Sequence, residues 1–128
     1  MAAVKRTVPQ RDEHLDRAYQ NEKLAEQFAR ASSPVCIDWS ITFLFYSALH
    51  FVDAFLAGKN LHPLIHFERN EEVENNGSLS EIHRHYSTLQ KMSESARYQI
   101  ANYAQRDYDR ALEHFNQIKQ HVLRKMRK

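Results

Sequence analysis

Five polar side chains recur along one face of the most apolar segment of this 128-residue chain, which covers residues 34–57. They are spaced by three steps of four residues and one of three: Asp38, Thr42, Tyr46, His50 and Asp53. An α-helix turns by about 100° per residue, so these side chains share roughly a third of its circumference. Ionisable groups on an otherwise apolar helix must be paired, hydrated or used in chemistry. We call these five residues the polar strip.

Arginine, histidine and tyrosine side chains elsewhere could extend the polar strip into a binding site. Guanidinium groups pair with phosphates, and aromatic rings stack on bases. An Arg-Tyr pair at a predicted helix-to-loop junction is suggestive, since sites concentrate in loops. Core packing explains the tyrosine and histidine of the strip equally well. The candidate ligand-binding residues are Tyr46, His50, Asp53, His66, Arg69, Arg97 and Tyr98.

Eight histidines raise the question of a metal site. His62 and His66 are four residues apart, but Pro63 between them disfavours a regular helix. His83 and His85 point to different faces of a helix. The sequence contains no H-E-x-x-H motif and no repeated E-x-x-H motif. We therefore expect no metal and no cofactor.

The sequence also lacks the motifs of nucleophilic catalysis and of phosphate-binding loops. There is no G-x-S-x-G elbow and no glycine-rich loop, and Cys36 is the only cysteine. A single cysteine excludes an intrachain disulfide and suits a reducing compartment. The N-terminus has no apolar signal-peptide core. Asp38 and Asp53 bracket a stretch too short and too polar for a bilayer span, so we expect a cytoplasmic protein without a membrane segment.

Two glycines and three prolines are too few for a turn-rich β fold. Apolar periodicity and turn residues predict helices over about 12–31, 34–57, 64–74, 78–96 and 104–126. We expect an all-α fold, an up-and-down antiparallel bundle of four long helices plus one short helix. It forms a single domain over residues 1–128, in which residues 1–11 are a flexible leader.

Four local signals set the expected helix ends. Ser33 before Pro34 predicts a capped start, and Gly58 predicts a left-handed stop. Residues 75–77, Asn-Asn-Gly, predict a turn. Ser78 and Glu81 predict a capping box at the start of the fourth helix. Residues 97–103 are predicted to be irregular, and Ala104 is predicted to be the first apolar-face position of the last helix.

From Phe45 to about Met126 the chain resembles the HEPN family, the higher eukaryote and prokaryote nucleotide-binding domains. The string FYSALHFVDAFL is similar to the aromatic-rich helix of that family, with Tyr46 and His50 at matching places. In HPLIHFER, His66 falls near a recurrent family histidine. The order SLSEIHRHYSTLQKMSESARYQ followed by a long helix is also similar, with an Arg-Tyr pair before the last helix. Asp53 lies where relatives often carry a basic residue.

Many HEPN proteins are metal-independent ribonucleases with an R-x4–6-H motif, and no Arg–His spacing in this chain fits it. Arg69 begins a string similar to RN-x-x-V-H, but Glu74 stands in the histidine position, and a carboxylate does not replace an imidazole base. The resemblance therefore implies a non-catalytic binding module for a nucleotide, RNA or a partner protein. The alternative is a ribonuclease, of toxin or defence type, with a displaced set drawn from His66, Arg69 and Arg97.

The resemblance also implies partners. HEPN proteins form dimers, so we expect a homodimer. Many belong to toxin–antitoxin and other defence systems, so a partner protein such as a nucleotidyltransferase is a further expectation, by analogy with the family alone.

Overall fold

The computed structural model describes residues 8–31, 34–98 and 103–127, and this part of the chain is helical with no strand. A single 3₁₀ turn, Ser80–Ile82, precedes the fourth helix. The α-helices of the described residues are α1 (Arg11–Arg30), α2 (Pro34–Gly58), α3 (His66–Asn75), α4 (His83–Tyr98) and α5 (Gln105–Met126). The predictions of an all-α fold and of four long helices with one short helix are confirmed.

Hydrogen bonds between α1 and α2 show that these two helices are antiparallel. Ser40 Oγ donates to the carbonyl of Ala25 at 2.5 Å, and Ser47 Oγ donates to the carbonyl of Ala18 at 2.6 Å. The numbering rises on one helix as it falls on the other. Both hydroxyls are fully buried, so each contact satisfies a polar group inside the core.

The α2 helix lies at the centre of the bundle, against α1, α4 and α5. Most of its apolar residues between Ile37 and Leu56 are buried, and they pack on Tyr86 of α4 and Phe115 of α5. The predicted apolar face of α5 is also confirmed. Its buried residues include Tyr108, Ala111, Phe115, Ile118 and Val122.

By length and composition, residues 35–58 of α2 are apolar enough to cross a membrane. In the bundle, 72% of the most apolar window is buried by protein, which is typical of a core helix. Among the described residues no other helix passes the same test.

The ends of the helices differ from the sequence signals at three points. Gly58 is the last residue of α2, and the left-handed residue is Asn60, with φ of 60°. The capping box at Ser78 does not form. Instead, the Ser78 amide donates to Asn76 Oδ1 at 2.9 Å, and the 3₁₀ turn delays α4 to His83. Ala104 is the exposed N-cap of α5, so it is not part of the buried face of that helix.

Other predicted boundaries hold in part. The leader was predicted to extend to residue 11, but Arg11 already begins α1, and residues 1–7 lie outside the described residues. The Ser33 cap also lies outside them. Residues 97 and 98, predicted to be irregular, form the last positions of α4.

The packing of α4 on α5 brings two imidazoles together, and this contact should make stability depend on pH. His85 Nδ1 lies 2.9 Å from His114 Nδ1. Burial lowers the pKa of both histidines, and the charge of His114 lowers the pKa of His85 further. Below the ordinary histidine pKa of about 6.5 the unfolded chain therefore takes up more protons than the folded chain.

We therefore expect the free energy of unfolding to fall as the pH is lowered from 7 to 5. The His85→Gln variant should show a shallower fall, because it cannot take up that proton. Urea unfolding followed by circular dichroism at both pH values measures the difference. His83→Gln, on the same helix, is the control for loss of an imidazole. Equal pH dependence in His85→Gln and the wild type would contradict this assignment.

Candidate functional site along the second helix

The polar strip does not face solvent as one surface, because its members meet different parts of the bundle. At the start of α2, Asp38 Oδ1 accepts the backbone N–H of Tyr103 at 3.2 Å. Thr42 Oγ1 donates to the Asp38 carbonyl at 3.0 Å within the same helix. These two residues therefore satisfy structural hydrogen bonds and connect α2 to the segment before α5.

In the next part of the strip, Tyr46 meets the end of α4. The guanidinium carbon of Arg97 lies 5.3 Å from the centroid of the Tyr46 ring and 5.2 Å from that of Tyr98. Both distances are within the range of cation–π attraction. Arg97 Nη1 also donates to Ser93 Oγ at 2.5 Å. The guanidinium is thus held in a fixed position by groups of α2 and α4.

One donor of Arg97 stays unused. Its Nε atom is buried and has no hydrogen-bond partner among the described residues. Buried polar atoms in folded proteins are nearly always bonded, so this N–H is an unsatisfied donor inside the bundle, which a ligand in the neighbouring pocket does not reach.

The pocket beside Arg97 has a volume of about 390 Å³ and opens between the start of α2 and the end of α4. Two aromatic rings border it, Trp39 at 50% exposure and Tyr98 at 79%. We call it the aromatic pocket. Its lining residues are Val35, Asp38, Trp39, Thr42, Ala96, Arg97 and Tyr98.

His66, at the start of α3, lies between the two ends of the strip. Its ring centroid is 6.0 Å from that of Phe45. Partial burial lowers its pKa, and the charges of Arg69 and Arg97 lower it further. At neutral pH the imidazole is therefore neutral, so it can donate or accept a hydrogen bond but adds no positive charge.

Farther along α2, Asp53 forms a two-pronged ion pair with Arg69 of α3. Arg69 Nε donates to Oδ1 at 2.7 Å, and Arg69 Nη2 donates to Oδ2 at 3.0 Å. The side chains are 8% and 7% exposed for Arg69 and Asp53. Burial alone would lower the pKa of Arg69, but the hydrogen bonds and charge of Asp53 raise it. The hydrogen bonds of Arg69 to Asp53 therefore favour a structural role for this guanidinium over phosphate binding.

His50 meets His14 of α1, one helical turn before the ion pair. The two Nδ1 atoms are 3.1 Å apart. Burial, and then the charge of His14, lower the pKa of His50 to about 4, while burial lowers the pKa of His14. One ring nitrogen of each histidine and a carboxylate oxygen of Asp53 all lie within 4.8 Å of one another. We call His14, His50 and Asp53 the histidine cluster.

The structure brings the seven candidate residues onto α2 or onto elements packed against it, but it divides them into two groups. Arg97 and Tyr98 line the aromatic pocket and Tyr46 contacts Arg97 beside it. His50, Asp53 and Arg69 lie at the other end, with His66 between the groups. Nothing in the local spacing around His14 marks it as their neighbour; only the antiparallel pairing of α1 and α2 brings it to His50. No family model, curated protein or solved structure matches this chain.

Breaking the buried ion pair should strongly destabilise the fold. We expect Asp53→Ala to lower the free energy of unfolding by about 3–5 kcal/mol, because it leaves the Arg69 charge buried and unpaired. The double variant Asp53→Leu with Arg69→Met should recover most of this loss, since both charges are then absent. Urea unfolding of the single and double variants measures the coupling.

The exposed pair Arg11–Asp12, with an N–O distance of 3.4 Å, provides the matched control. Asp12→Ala should change stability by less than about 1 kcal/mol. A similar decrease in the free energy of unfolding for Asp12→Ala and Asp53→Ala would show that the buried pair contributes no more to stability than the exposed one.

Proposed function

We propose that this chain is a HEPN-like helical bundle that binds a nucleotide, free or within single-stranded RNA, in the aromatic pocket and does not act on it catalytically. The observation that carries the proposal is the Arg97 guanidinium, which lies within cation–π distance of Tyr46 and Tyr98 and lines the aromatic pocket. The all-helical architecture and the positions of Tyr46 and His50 on the central helix support the HEPN likeness.

The groups around the aromatic pocket suit the two parts of a nucleotide. Trp39 and Tyr98 expose ring surface on which a base can stack, and Arg97 supplies a positive charge that attracts a phosphate. Stacking of a base on an aromatic side chain contributes roughly 1–3 kcal/mol. The pocket is large enough for one base, at about 390 Å³.

Two observations favour binding over catalysis. Arg69 is neutralised by Asp53 and buried, so it is a poor stabiliser for charge that develops on a reacting phosphate. Arg97 and His66 are then the remaining candidates for a catalytic pair, and the charge of Arg97 lowers the pKa of the His66 imidazole. A ribonuclease needs both an acid and a base, and His66 supplies one titrating group.

Trp39 is the only tryptophan, so its fluorescence reports directly on the aromatic pocket. We expect saturable quenching on titration with AMP or with a short single-stranded RNA. Tyr98→Ala should weaken binding roughly 5- to 150-fold through lost stacking. Arg97→Gln should also weaken it, and more so at low salt, since it removes the charge that attracts phosphate.

Tyr19→Ala and Arg106→Ala serve as matched controls, because Tyr19 lies on α1 and Arg106 on α5, outside the aromatic pocket lining. Both should leave the titration unchanged. The absence of saturable quenching with either ligand would overturn the proposal. Cleavage of the RNA that is lost in His66→Ala would replace it with the ribonuclease alternative.

The expected homodimer has a candidate contact surface around the start of α3. Several large apolar side chains there are exposed, including Leu64 at 83% and Phe67 at 66%. Apolar residues grouped on a surface are typical of protein contacts. We call this surface the apolar ridge; its residues are Leu61, Leu64, Ile65 and Phe67.

We expect the wild type to elute as a dimer, and the double variant Leu64→Asp with Phe67→Asp to elute as a monomer of about 15 kDa. Light scattering coupled to gel filtration at micromolar concentrations measures the mass. Leu24→Asp, at an exposed leucine of α1, is the control and should stay dimeric. A monomeric wild type, or a dimer that withstands the double substitution, would contradict this surface.

A further inference from the structure

We propose that the histidine cluster of His14, His50 and Asp53 binds a divalent transition-metal ion of the zinc class, with a coordination position open to a neighbouring pocket. This site is separate from the aromatic pocket, and the two can be tested independently. It also goes beyond the sequence-based expectation of no metal, which considered only histidines that are close together in the chain.

Two of the ligand atoms have nearly the spacing of a tetrahedral site, and small movements of the side chains would complete it. Ligands at about 2.0–2.1 Å from zinc are about 3.3 Å from one another. The Nδ1 atoms of His14 and His50 are 3.1 Å apart, close to that value. The Asp53 oxygen completes a group whose atoms lie within 4.8 Å of one another, so a movement of its carboxylate by about 1–2 Å would close the site.

Rigid elements hold the three ligands in place. His50 and Asp53 are three residues apart on one face of α2, and the bond from Ser47 to Ala18 fixes α1 beside them. Arg69 orients the Asp53 carboxylate through two hydrogen bonds, as outer-shell partners of metal-bound carboxylates do. The bound carboxylate can give one oxygen to the metal and keep the other on Arg69.

Two neutral imidazoles and one carboxylate favour ions of borderline softness, such as Zn²⁺ or Co²⁺, over Mg²⁺ and Ca²⁺, which prefer oxygen ligands. Burial lowers the pKa of both histidines and so favours the neutral imidazole, and metal binding takes the tautomer that carries its proton on Nε2 and leaves Nδ1 free. The positive charge of Arg69 opposes the ion, and an anionic ligand on the metal would offset it.

The open position faces a pocket of about 210 Å³. Its walls include His14 and Asp53 of the cluster, Arg69, and His62 from the loop after α2. Three protein ligands with a fourth position open are typical of zinc sites that bind water or a substrate, whereas structural zinc sites are closed by four protein ligands. The fourth ligand is therefore a water molecule, an anionic group of a small molecule, or the His62 imidazole.

Cobalt provides the test, because four-coordinate Co²⁺ absorbs visible light. Protein stripped with EDTA and titrated with Co²⁺ should develop an absorption band that saturates at one ion per chain, and Zn²⁺ should abolish it. His14→Ala and His50→Ala should each weaken binding at least about 10-fold. Zinc should raise the melting temperature of the wild type and leave that of both variants unchanged.

The second histidine pair gives a matched control. His85 and His114 have the same Nδ1–Nδ1 contact at 2.9 Å, but no metal-binding trio forms around them within the described residues. His85→Ala should therefore keep the cobalt band. No band in the wild type, or a band lost equally in His85→Ala and His50→Ala, would overturn the proposal. If His50→Ala does not fold by circular dichroism, His14→Ala alone decides, because His14 is less buried.

Discussion

The buried carboxylate of Asp53 is the constraint on which the site depends. It lies in the last part of α2, among apolar residues and at 7% exposure, where an unpaired charge would be very unfavourable. Arg69 meets it with two hydrogen bonds, and only Arg69 and Val73 of α3 are buried. The ion pair therefore determines where α3 lies against α2. It thereby positions His66, the apolar ridge and one wall of the pocket beside the histidine cluster.

The same requirement explains how an almost wholly apolar helix takes one orientation in the bundle. A purely apolar rod could rotate about its axis with little change in buried area, but several polar side chains of α2 have partners on particular neighbouring helices. Ser47 bonds to α1, Tyr46 contacts Arg97 of α4, and Asp53 bonds to α3. Rotating α2 would leave these groups unpaired inside the core, which is costly.

Periodicity was enough to predict the helices and the central place of α2, because burial follows the spacing of apolar residues. It could not predict partners far apart in sequence. Asp53 and Arg69 were both candidate ligands, yet the fold pairs them with each other, and His14 was not a candidate at all. The predicted helix ends were wrong where more than one nearby residue can make the same cap or turn. Asn76 accepts the hydrogen bond of the Ser78 amide, and Asn60 takes the left-handed conformation in place of Gly58.

The two places where α2 is open to ligands are those where its polar groups are incompletely satisfied. At Asp53, Arg69 binds both carboxylate oxygens, so a ligand there has to share the carboxylate with Arg69. The Arg97 guanidinium borders the aromatic pocket and keeps an unpaired Nε, and the contact between His14 and His50 uses one proton for two ring nitrogens. Each of these sites also borders an open pocket. A phosphate beside Arg97 gains an ionic contact, and a metal ion between the two histidines replaces one shared hydrogen bond with two metal–nitrogen bonds, so ligands are favoured at these two ends of the strip.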